Sequence, residues 1–127
     1  MFKTVLFPID RSREARQAAE TVVQLVQTHS SKLYILAVVE DDNESMASPE
    51  SVDQLLAEAQ TSFAEAGVKA EVLERSGKPA FTICDVADEI NAEVIVMGSR
   101  GLQPESAADS VTQRVLSLSP CPVLVVP

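Results

Sequence analysis

The feature that most constrains this chain is a series of short apolar blocks that do not alternate with polar residues. Leu33 to Val39 reads LYILAVV, Lys3 to Pro8 reads KTVLFP, and Val94 to Met97 and Val123 to Val126 are shorter blocks of the same kind. A strand with one face in water alternates apolar and polar residues. A strand covered on both faces is apolar throughout, as in a parallel sheet sandwiched by helices. Between the blocks the period changes to that of a helix with one buried face. Arg13 to Thr28 carries Ala15, Ala18, Ala19, Val22, Val23 and Val26, and Val52 to Ala66 carries Leu55, Leu56, Ala59 and Phe63. A third helix places Ile83, Val86, Ala87 and Ile90 on one face, and a fourth places Ala108, Val111, Val115 and Leu118. Val68 to Leu73 (VKAEVL) alternates, which predicts a fifth strand at or near a sheet edge. The order β-α-β-α-β-α-β-α-β is that of an α/β domain with right-handed parallel crossovers.

Local punctuation agrees with this order. Ser12 stands where an N-cap is needed, Gly67 ends the second helix, and SGKP at Ser76 to Pro79 makes a turn. Glu40 to Glu50 is polar and reads as a mobile loop. At 127 residues the chain is expected to form a single domain, 1–127. Its hydrophobic content is 46%, but no tract approaches a membrane span. The first apolar run stops at Asp10, too short for a secretory signal, so a cytoplasmic location is expected.

Nineteen acidic residues against ten basic ones give a net charge of −9, a field that disfavours nucleic acid and anionic membrane. Cys84 and Cys121 match no metal or redox spacing and read as two buried thiols. The single histidine, His29, reads as a surface or capping residue at a helix end. No nucleophile–base set, metal cluster or carboxylate pair can be assembled, so neither catalytic nor metal residues are assigned.

In parallel sheets of this kind, ligands sit beyond the C-terminal ends of the strands, where the strand order reverses. Three sequence features fall there: Pro8 with Asp10, Val38 with Val39, and Met97 with the GSRG segment Gly98 to Gly101. GSRG either brings a backbone close to an anionic ligand or makes a tight strand-to-helix turn. Asp10 either accepts hydrogen bonds from a ribose or base or caps the first helix. Ser110 and Thr112 either receive phosphate oxygens at a helix start or cap that helix. Arg11, Arg13, Arg100 and Arg114 lie near this face and either offset phosphate charge or are solvated surface groups.

The chain resembles the universal stress protein family along its whole length. The resemblance rests on TVLFPID at Thr4 to Asp10, GKP at Gly77 to Pro79 and AEVIVMGSRG at Ala92 to Gly101. SVTQRVL at Ser110 to Leu116 and SPCPVLVVP at Ser119 to Pro127 complete it. It implies a five-stranded parallel sheet of order 3-2-1-4-5 flanked by four helices, an adenine nucleotide alpha hydrolase-like three-layer sandwich. It also implies a homodimer paired through the last strand, Val123 to Val126, with any further protein partner unidentified. One branch of the family binds ATP or a related adenine nucleotide. The resemblance carries that site onto Pro8, Asp10, Val38, Met97, Gly98, Gly101, Ser110, Val111 and Thr112.

That branch spaces its glycines as two residues, then nine, with serine or threonine after the last. Here only seven residues separate Gly101 from Asp109, which stands at the third glycine, and Arg11 stands where the family often has glycine. A carboxylate close to bound phosphates repels them in proportion to their charge. AMP, or a nucleotide in an altered pose, is therefore expected over ATP with Mg. The resulting expectation is a dimeric stress-response or signalling protein with weak or modified adenine-nucleotide binding. The alternatives are an ATP-Mg-binding member with slow turnover and an interaction module that binds no nucleotide.

Overall fold

The structure, a computed structural model, describes residues 1–99 and 110–127, with Glu14 described by its backbone alone. The strands are β1 Thr4–Pro8, β2 Lys32–Val39, β3 Ala70–Ser76, β4 Val94–Gly98 and β5 Val123–Val126. The helices are α1 Arg13–His29, α2 Pro49–Glu65, α3 Pro79–Glu89 and α4 Val111–Leu118. All strands run parallel in the order β3-β2-β1-β4-β5.

The pleat explains why the apolar blocks are unbroken. Val5 and Phe7 of β1, Ile35 and Ala37 of β2, and Val94 and Val96 of β4 pack under α1 and α2. Their neighbours Leu6, Leu36, Val38, Ile95 and Met97 pack on the other face with residues of α3 and α4. Since successive residues point to opposite faces, a strand buried on both has no position left for a polar side chain.

The helix ends follow local chemistry. Ser12 accepts the Ala15 N–H at 3.2 Å and opens α1, while Ser30 closes it in a left-handed conformation at φ 51°. His29, exposed at the last turn of α1, meets the Phe2 ring edge-to-face at 5.5 Å. Ser48 caps α2, with Pro49 in its first turn, where a missing N–H costs nothing. Beyond α2, Gly67 adopts φ +82° and the Val68 N–H returns to the Phe63 carbonyl at 2.8 Å.

Four expectations need correction. The third strand begins at Ala70 rather than Val68, because Val68 is the buried residue that seals the end of α2. Glu40 to Glu50 is structured: Glu44–Met46 form a short 3-10 helix that buries Met46, and α2 already begins at Pro49. One apolar anchor in a polar stretch has no period by which to be recognised. Leu118 is 47% exposed, since the last turn of α4 runs past its packing against the sheet, and Ala108 lies outside the described residues. Cys121 is half-buried rather than buried; Cys84 is buried, and burial raises both thiols above the ordinary cysteine range.

Candidate functional site

Order reversal between β1 and β4 sends α1 to one face of the sheet and α4 to the other. Of the residues named from the sequence, Pro8, Val38, Met97 and Gly98 stand at or next to the C-terminal ends of β1, β2 and β4. Strand register sets Pro8 beside Leu36, and the Ile9 N–H continues the ladder to the Leu36 carbonyl at 2.8 Å. Val38, Met97 and Val111 meet in one packed cluster on the α3 and α4 face, at 3%, 2% and 7% exposure. They are core residues first, so a ligand at the strand ends would rest on their upper surface. Gly101 lies outside the described residues, as do Arg100 and Asp109.

The polar candidates already have structural partners. Ser110, buried, accepts the Gln113 N–H at 3.0 Å and is the N-cap of α4. Thr112, also buried, donates its hydroxyl to the Gly98 carbonyl at 2.9 Å and ties the start of α4 to the end of β4. Capping by Ser110 leaves the Val111 and Thr112 N–H groups without an intrahelical acceptor, and these are the donors an anion would meet. Asp10 is buried and one of its oxygens accepts the Ser12 N–H at 2.8 Å, so it braces the turn that leads into α1, the helix Ser12 caps.

Two residues acquire roles that periodicity does not reveal. Arg11 is engaged by the segment that follows β2: its guanidinium donates to the Ser45 carbonyl at 3.3 Å, to the Ser51 carbonyl at 2.7 Å and to the Ser51 hydroxyl. It joins the β1–α1 loop to the start of α2. Arg114 lines a shallow groove with Phe81 and Leu118 on the outside of α3 and α4, while Arg13 is exposed. Glu40, directly after β2, is the second addition. Burial, and then the charge of Asp10, raises its carboxyl above the ordinary glutamate range, opposed by a hydrogen bond from Asn43. The signal for Glu40 was its position, one residue past a strand end.

This shift sets a pH dependence. A carboxyl whose folded pKa exceeds its unfolded value holds its proton more tightly in the native state. Its contribution to stability is therefore fully present below the unfolded value and is lost as pH rises through the folded one. Glu40→Gln is expected to gain stability over the parent at pH 7, with the difference closing as pH falls to the ordinary carboxylate range. Urea unfolding at intervals between those limits checks it, and a difference independent of pH would remove Glu40 as the cause.

The sequence model of the universal stress protein family matches residues 1–127. The chain belongs to that family. It is 57% identical to a universal stress protein of Synechocystis sp., over 100% of this chain and 87% of that protein. It is 33% identical to universal stress protein YxiE of Bacillus subtilis, over 99% of both. Among solved structures, UspA from Lactobacillus plantarum matches with TM-score 0.85 at 24% identity, covering 99% of this chain and 98% of that one. A universal stress protein in complex with cAMP matches with TM-score 0.78 at 26% identity, covering 98% and 96%. A universal stress protein from Archaeoglobus fulgidus in complex with dAMP matches with TM-score 0.79 at 19% identity, covering 100% of both, a likeness of fold. The five-stranded parallel sheet with helices on both faces is thus the fold these solved universal stress proteins share. No helix among the described residues is long and apolar enough to cross a membrane.

Proposed function

We propose that this protein is a cytoplasmic stress-response or signalling protein that works as a homodimer and binds an adenine nucleotide bearing one phosphate. The observation that carries the reading is the meeting of Val38, Met97 and Val111 in one cluster beneath the strand ends, where Thr112 ties the start of α4 to the end of β4 and Asp10 follows β1. The apolar group offers a surface for a base, and Asp10 an acceptor for a ribose hydroxyl. The α4 N–H groups offer a place for phosphate. Two structural relatives hold cAMP and dAMP, each with a single phosphate. Glu40, whose carboxyl is raised by burial and then by the charge of Asp10, reports a negative field after β2 that further phosphate charge would have to enter.

Support for a dimer comes from the contrast between the two sheet edges. β3 carries Glu71, Glu74 and Arg75, and Lys32 pairs with Glu71 across the strands at 3.5 Å. β5 is VLVV, half-exposed and uncharged, with Leu124 38% exposed. An edge protected by charge discourages pairing, and an apolar one invites it.

Calorimetric titration of nucleotide-stripped protein tests the nucleotide reading. AMP is expected to bind at least tenfold more tightly than ATP with Mg, and Gly98→Val is expected to abolish binding. Asp109→Gly should narrow the gap by strengthening ATP. Tighter binding of ATP-Mg would favour a triphosphate site with slow turnover. No binding of AMP, ADP or ATP-Mg would leave an interaction module, a reading favoured by the prior engagement of the Ser110 and Thr112 hydroxyls. Light scattering should give the mass of two chains; a single-chain mass would overturn the dimer.

A further inference from the structure

The face of the sheet opposite Val38 and Met97 holds a second feature. α1 and α2 lie on this face and are clasped at both ends. At one end Arg11 holds Ser45 and Ser51; at the other the Gln27 side-chain amide donates to the Ala66 carbonyl at 3.1 Å. Between the clasps a groove of about 640 Å³ opens. Phe7 and Phe63 line its base, joined edge-to-face at 6.0 Å, and Ala19 and Val23 of α1 face Leu55 and Ala59 of α2. These four wall residues are only half-buried, an apolar surface between polar ends. The volume is that of a pocket for a small organic ligand, and the clasps limit what enters by length.

The charges on the rim decide the ligand's polar end. Arg16 lies on the rim in the first turn of α1, exposed and without a hydrogen bond or ion pair among the described residues. The N-terminus of a helix is the positive end of its dipole, so Arg16 and the backbone favour a negative group at the same place. Arg11 is already held by three acceptors, and the Asp10 carboxylate, which also lines the groove, accepts the Ser12 N–H at 2.8 Å. Of the two rim glutamates, Glu58 accepts from the Gln54 amide at 3.3 Å, and Glu20 lies one turn further along α1. The wall from Ala15 to Val23 rises through eight residue steps, about 12 Å of helix. A chain of net charge −9 disfavours a multiply charged anion.

We propose that the groove between α1 and α2 is a binding site for an amphipathic monocarboxylate. An aliphatic body about 12 Å long lies over Phe7 and Phe63, and its carboxylate pairs with Arg16. The site shares Asp10 with the nucleotide reading, but its apolar walls lie on the other face of the sheet, and it survives that reading's failure. Titration of the full chain with decanoate, held below its micellar concentration, tests it against decylamine and decanol. Decanoate is expected to bind saturably at one site, at least tenfold more tightly than either control. Arg16→Glu, a change at an exposed position, should weaken decanoate at least tenfold with no shift in the unfolding midpoint. Ala59→Phe should abolish binding while circular dichroism confirms the fold. Equal or tighter binding of decylamine, unchanged affinity in Arg16→Glu, or no saturable binding of decanoate would each overturn the proposal.

Discussion

Phe7→Ala is expected to lower stability by about 3–5 kcal/mol, through lost transfer energy and the cavity left beneath α1 and α2. Phe7 is 2% exposed and belongs to the central strand, so little around it can collapse into the space. Its ring also meets Phe63 at 89°, a geometry that contributes about 0.5–1.5 kcal/mol beyond area. In urea unfolding the midpoint should fall while the slope is kept. Thermal unfolding should fall by about 10–20 °C. Phe7→Leu should cost under about 1.5 kcal/mol, since most of the volume is retained. A loss below about 1 kcal/mol in Phe7→Ala would mean that α1 and α2 move in to fill the gap, contrary to their clasped arrangement.

Gly77→Val is the second large effect, at about 2–4 kcal/mol, and here the backbone is the cause. Gly77 follows β3 at φ +144°, a region that residues with a Cβ rarely adopt, and its N–H reaches the Val39 carbonyl at 3.2 Å. A Cβ there would stand 2.9 Å from the Thr82 hydroxyl. Two penalties are thus combined, and a double-mutant cycle separates them. Gly77→Ala alone should cost about 1–3 kcal/mol. Adding Thr82→Ala should recover the contact part and leave the conformational part. If the double variant is no more stable than Gly77→Ala, after correction for Thr82→Ala itself, the contact contributes nothing.

The strand blocks and helix periods were legible because each depends only on spacing. LYILAVV can be buried on both faces only in a covered parallel sheet, and the caps at Ser12 and Gly67 depend on adjacent residues alone. The third strand was misplaced by two residues because Val68 alternates as a strand residue does, yet its side chain seals α2. Met46 was missed because a lone apolar residue becomes an anchor only when something distant lies beneath it.

The candidate site divides in the same way. The strand-end location of Pro8, Val38 and Met97 follows from where each apolar block stops, and the structure brings Val38 and Met97 together with Val111. The use of each polar group does not follow from sequence. Ser110 caps and Thr112 ties β4 to α4, while Arg11 turns towards Ser45 and Ser51, thirty-four and forty residues away.

By itself the sequence determined the element order, the two-faced burial of the sheet and the family, since all are carried by neighbouring residues and their period. Only the tertiary structure decided which hydroxyls and guanidinium were already engaged, that the charge of Asp10 reaches Glu40, and that α1 and α2 are joined at their ends with a groove between. Those outcomes depend on groups distant in sequence coming within hydrogen-bonding or electrostatic reach of each other, and no local pattern encodes such a meeting.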